Sequence, residues 1–170
     1  MTRRVGWDEL LFATLLAAGL LTVGLPPLPP VGLRVSAALS IGLGALAGAL
    51  LFQALAGAHA RPPSRARVAG LVGVRGALLA GRAGVEEVAW RGFLLGALVP
   101  PLGRAGALGV TSLAFALAHA GVRGRMRIVH MLTGGVFGGL YLASGRLATA
   151  VAAHVVYNAL VVTAARGEAP

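Results

Sequence analysis

Residues 35–58, VSAALSIGLGALAGALLFQALAGA, run for two dozen positions without a charged side chain and stop just before Arg61-Pro62-Pro63. A transmembrane helix needs about 20 mostly apolar residues, because each residue climbs about 1.5 Å through a hydrocarbon layer about 30 Å thick. Five more stretches share this character. The first, residues 10–25, is closed by Pro26-Pro27-Leu28-Pro29-Pro30, where a helix cannot continue. The third ends near Val99, ahead of Pro100-Pro101, and starts between Val68 and Gly84. The remaining three cover about residues 105–120, 128–143 and 147–165. The expectation is an all-α polytopic membrane helix bundle of about six transmembrane helices, a single integral membrane domain over residues 1–170.

Composition supports the lipid bilayer as the chain's surroundings. Of 170 residues, 57% are hydrophobic and 12% charged, against about 25% charged in a soluble domain. The fifteen basic residues are all Arg and the net charge is +10. They punctuate apolar runs and form no dense patch interleaved with aromatics, so no nucleic-acid partner is expected. There is no Cys, which removes disulfides, thiolate metal sites and Cys nucleophiles.

The arginines also orient the chain. With both termini cytoplasmic, nine fall on the inner side: Arg3, Arg4, Arg61, Arg65, Arg67, Arg123, Arg125, Arg127 and Arg166. Only Arg34, Arg104 and Arg146 fall outside, the asymmetry of the positive-inside rule. Arg75, Arg82 and Arg91 do not suit a plain span, so residues 68–82 are read as lying along the cytoplasmic interface, with the third span beginning near Gly84. Thr2-Arg3-Arg4 superficially resembles a secretory or twin-arginine signal, but Asp8 and Glu9 interrupt it and no small-x-small cleavage pattern follows; an uncleaved first helix is expected.

Two glycine patterns are read as packing devices. Gly42-Leu43-Gly44-Ala45-Leu46-Ala47 matches the dinucleotide-binding letters but lies in an apolar helix with no strand before it. Gly134, Gly135, Gly138 and Gly139 make two overlapping GxxxG spacings on the fifth span, which let a neighbouring helix come close.

Polar residues inside such a bundle are costly, so each requires an explanation. Between Leu10 and Gly167 the only carboxylates are Glu86 and Glu87. Arg91 follows Glu87 by one helical turn, the favourable order for an ion pair, while Glu86 projects elsewhere. His119 closes the fourth span with Phe115 one turn earlier, and His154 precedes Asn158 by one turn. His59 reads as interfacial and His130 as structural. Buried polar groups need partners, so Glu86, His119, His154 and Asn158 are expected to face one cavity. Counting from Arg82 and Arg123 puts Glu86 and His119 at a similar shallow depth; counting from Arg166 puts His154 deeper.

A carboxylate in a low-dielectric pocket is an effective general base, an imidazole can orient the attacking water, and an imidazole with an amide can stabilise an oxyanion. The same Glu86, His119 and His154 would also serve as a catalytic zinc set with an open position. A proton- or metal-coupled transport subunit is a third use of these groups, and a catalytically silent binding protein a fourth. Against transport stands the lack of an internal inverted repeat.

Glu86-Glu87-Val88-Ala89-Trp90-Arg91 resembles the EExxxR motif of the CPBP intramembrane proteases, relatives of the CAAX prenyl endopeptidase also called the Abi family. Phe115 to His119 is similar to that family's FxxxH motif, and His154 to Asn158 to its HxxxN motif, in the family's order. The resemblance covers about residues 84–165, with residues 1–67 supplying two preceding helices and a basic loop. It implies a membrane-embedded peptidase of the glutamate type, needing no metal cofactor, that acts on a membrane-associated protein or peptide. Glu86 would activate water with His119, His154 and Asn158 would stabilise the oxyanion, and Glu87, Arg91 and Phe115 would support the site. The chain is much shorter than eukaryotic relatives, so an unprenylated substrate is expected. The all-Arg, Ala- and Gly-rich composition resembles that of a bacterium with a GC-rich genome, which places the chain in the inner membrane. Small bacterial relatives are linked to bacteriocin self-immunity or to trimming C-terminal sorting segments.

Overall fold

The computed structural model describes Gly24 and residues 36–56, 65–119 and 124–164. The expected first span, His59, both chain ends and the arginines among them lie outside the described residues. What is described is all-helical: α1 (Ala37–Ala56), the short α2 (Arg65–Ala69), α3 (Val74–Glu87), a π-helical stretch (Val88–Leu95), α4 (Gly96–Ala118), α5 (Arg125–Ser144) and α6 (Leu147–Thr163). Two helical runs, Ala37–Ala56 and Val74–Ala118, are long and apolar enough to cross a membrane by length and composition, and the shorter Leu147–Thr163 is also apolar.

The run from Val74 to Ala118 is not one rod. At Gly103 the backbone takes φ 68° and ψ 170°, a conformation open to glycine alone among common residues. Trp90 and Phe115, thirteen and twelve residues either side of it, meet edge to face at 5.5 Å; the chain therefore reverses at Gly103. Pro100-Pro101 lies in the helical turn just before this break, close to where the third span was expected to end. Proline's fixed φ near −65° is compatible with a helical turn, where it costs hydrogen bonds, but it cannot supply the positive φ of the reversal.

Residues 74–82 are continuous with Glu86 and Glu87 in α3, so no break falls near Gly84; α2 and the turn at residues 70–73 come directly before them. Glu86 is then twelve residues, about 18 Å, from the start of its helix, and His154 is nine residues, about 14 Å, from the end of α6.

Close packing relies on missing side chains. A Cβ at Gly44 or Gly48 would overlap the carbonyls of Thr149 or Ala153, so α1 lies directly on the backbone of α6. On α5, a Cβ at Gly134 would press on Phe115 and Ser112 at 3.3 Å, and one at Gly138 would strike Leu108 at 2.6 Å. Both glycine patterns thus act in packing. Leu95, Val99, Ala107, Phe137, Tyr141, Leu142, Ala150 and Ala153 form the buried core that these approaches enclose. Several hydroxyl groups in the bundle are satisfied locally, as where Thr111 donates to Ala107 O, Ser112 to Leu108 O and Thr163 to Ala159 O, whereas the buried Thr149 hydroxyl has no partner among the described residues.

Candidate active site

Glu86 and Glu87 close α3, and the helix points them to different places. Glu87 is fully buried, with Arg91 beside it at 3% exposure. Arg91 Nη1 donates to Glu87 Oε1 at 3.0 Å, and its Nη2 donates to the Gly134 carbonyl of α5 at 3.2 Å. The guanidinium also lies over the Phe115 ring, 4.6 Å from its centre. His154 Nδ1 approaches the same Glu87 oxygen at 2.7 Å. The Glu87 carboxylate, ion-paired with Arg91, only accepts, so Nδ1 is the donor. Glu87 and Arg91 therefore clamp four elements together: α3, the π-helical stretch, α5 and α6.

Glu86 is 22% exposed and faces a cavity. Its Oε1 accepts from Arg82 Nε at 3.0 Å, one turn back on α3. Its Oε2 lies 3.9 Å from His154 Nε2, the nitrogen that Glu87 leaves unused. The cavity holds about 750 Å³ and brings together Glu86, His119, His154 and Asn158 with Phe115 as part of the wall. A volume of about 300–1,000 Å³ is usual for a small-ligand or peptide side-chain pocket.

His119 caps the end of α4 and its Nδ1 bonds the Phe115 carbonyl at 2.8 Å. A carbonyl only accepts, so Nδ1 carries the proton and Nε2 of the neutral ring presents a lone pair. Residues that the sequence reading did not place at the site are His130, Arg82 and Tyr157, all on the cavity wall. For His130 a signal existed: it stands eleven positions after His119 across a short connection, so a helical hairpin sets the two side by side.

The three carboxylate, imidazole and amide motifs thus meet around one cavity within a membrane-type bundle. A family model described as type II CAAX prenyl endopeptidase Rce1-like matches residues 68–160. The chain belongs to this family. No curated protein and no solved structure matches it. The Rce1-like match takes in α3 from its start and every residue named above from Arg82 to Asn158. The family is one of membrane-embedded proteases, and it accounts for the apolar helices and the presence of polar groups inside them.

Among the described residues no group of three or more His, Asp, Glu or Cys side chains is arranged to hold a metal ion. Both δ nitrogens of His119 and His154 are already engaged, one by a carbonyl and one by Glu87.

Proposed function

We propose that this chain is a glutamate-type intramembrane endopeptidase that cleaves a membrane-associated protein or peptide near the cytoplasmic face of a bacterial inner membrane. Six spans with both termini inside belong to the same reading. So does a place in bacteriocin self-immunity or C-terminal sorting-signal processing, following the family's small bacterial members. The observation that carries the activity is the division of labour between neighbouring carboxylates: Glu86 open to the cavity, Glu87 locked behind it by Arg91 and His154.

In this mechanism Glu86 takes a proton from a water held by the Nε2 lone pair of His119. The resulting hydroxide adds to the scissile carbonyl carbon. The oxyanion is met by the Asn158 amide, and by His154 Nε2 when that ring carries both protons. Collapse breaks the C–N bond, and Glu86 passes its proton to the departing nitrogen, which leaves as an amine. The other product keeps the carboxylate, and Glu86 is regenerated. Water activation is assigned to the carboxylate because Glu86 opens onto the cavity that His119, His154 and Asn158 also line.

The test is a purified, reconstituted protein challenged with internally quenched membrane peptides. E86Q should lose at least about a hundredfold in kcat, the usual scale of a general base, while keeping its helicity and elution profile. Addition of a strong chelator should leave the rate unchanged. Full activity in E86Q would refute the general-base role, and inhibition by chelator reversed by zinc would restore the metal reading. pH-dependent proton flux without cleavage would point to transport instead.

A further inference from the structure

None of the three motifs contains His130, yet its imidazole lies face to face with that of His119. The ring centres are 4.3 Å apart and the planes differ by 14°. His130 sits five residues into α5 and lines the same cavity as Glu86, His119 and His154. Phe115 is the other neighbour of His119, at 4.6 Å and a tilt of 57°, and it lies 6.1 Å from His130. These three separations form a triangle, so Phe115 meets the His119 ring from the side and His130 covers a face.

The need for such a cover follows from where His119 stands. It is the capping residue of α4, with φ −86° and ψ 44°, so no further helical turn of α4 packs beyond it. Its one side-chain hydrogen bond among the described residues, to the Phe115 carbonyl, selects the tautomer and fixes one ring atom. A single point of attachment leaves the ring plane free to swing, and with it the direction of the Nε2 lone pair. Offset stacking on a second planar ring removes that freedom.

We propose that His130 is a positioning residue: its stack on His119 sets the imidazole plane so that Nε2 points into the cavity at the water Glu86 deprotonates. This rests on the hydrolytic reading above. Because His130 acts through its plane and not through a nitrogen, the flat side chain matters and the N–H groups do not. Misplacement of a reacting group by about 1 Å can cost about a hundredfold in rate; loss of one face of support should cost less.

The experiment compares H130A, H130F and H130Q in proteoliposomes, with the quenched peptide that the unsubstituted chain cleaves fastest as reporter. H130A should lower kcat about tenfold with KM nearly unchanged, H130F should recover most of that loss, and H130Q should not. Equal losses in H130A and H130F would overturn the proposal in favour of a direct hydrogen bond from His130, and unchanged kcat in H130A would overturn it outright. A second readout needs no turnover: the motional order of the His119 ring, read by magnetic resonance of histidine-labelled protein in micelles. The ring should be ordered in the unsubstituted chain and in H130F and mobile in H130A, with Nδ1 protonated in all three because the Phe115 carbonyl holds it. Unaltered His119 ring order in H130A would sink the positioning role even if no peptide were cleaved. Failure of the hydrolytic reading would show separately, as an unsubstituted chain that cleaves nothing.

Discussion

One peptide bond separates Glu86 from Glu87, and the two carboxylates live in different environments. Glu87 has no exposed surface, and both its ties, to Arg91 and to His154, run through the single oxygen Oε1. Its Oε2 is buried with no hydrogen-bond partner among the described residues, so this carboxylate is dependent on those two ties. Removing one partner of a buried pair typically costs about 3–5 kcal/mol, because the other charge is stranded. E87A should therefore lower thermal stability sharply in micelles, whereas E86Q, at the open cavity wall, should unfold near the temperature of the unsubstituted chain. The prediction is checked by following helix loss on heating; equal stability of the two variants would mean that Glu87 does not act as a clamp. The Glu87–Arg91 pair was readable from a one-turn spacing. The third member, His154, was not, because sixty-seven residues separate it from Glu87 and only the packing of α6 brings it in.

The elements carry two features that local sequence signals described poorly. The π-helical stretch Val88–Leu95 follows directly on the carboxylate pair and contains Arg91. Such wider turns are rare, mark functional sites more often than chance, and have no composition signature. The reversal at Gly103 had a competing signal in Pro100-Pro101, since proline is the stronger helix breaker on paper. What decided the position was φ: only Gly103 can take the positive value the turn needs. G103A should thus cost about 1–3 kcal/mol of backbone strain, seen as a lower unfolding midpoint, although nothing lies within 4 Å of the added methyl. A neutral G103A would show that the turn relaxes to another geometry. Two arginines finish helices in place of polar caps: Arg67 donates to Ala164 O at the end of α6, and Arg104 to Leu142 O in the last turn of α5.

At the scale of the whole molecule those two contacts bear on orientation. Arg67 touches one end of α6, while Arg146 stands at the other, about 25 Å away along a 17-residue helix. Arg104 reaches the last turn of α5, beside Arg146. Arg67, read from the sequence as inner, and Arg104 and Arg146, read as outer, therefore stand at opposite ends of the described bundle. Because the chain has no Cys, single-cysteine labelling gives a clean check of topology. A membrane-impermeant maleimide added to spheroplasts should label R146C and leave R65C untouched until the membrane is opened. Labelling of both from the same side would overturn the proposed orientation.

Hydrophobic run lengths and the placement of arginines were enough to establish a helical membrane bundle, since lipid permits few other ways to satisfy a backbone. Three short motifs were enough to name the polar residues and suggest their family, because the spacing of one helical turn is a local property. The turn at Gly103, the continuity of α3 through Gly84, the tie from His154 to Glu87 and the stacking of His130 on His119 came only with the packed chain. Each depends on which helix faces which, a choice made by glycine-lined surfaces approaching one another and not by any single helix's own preferences.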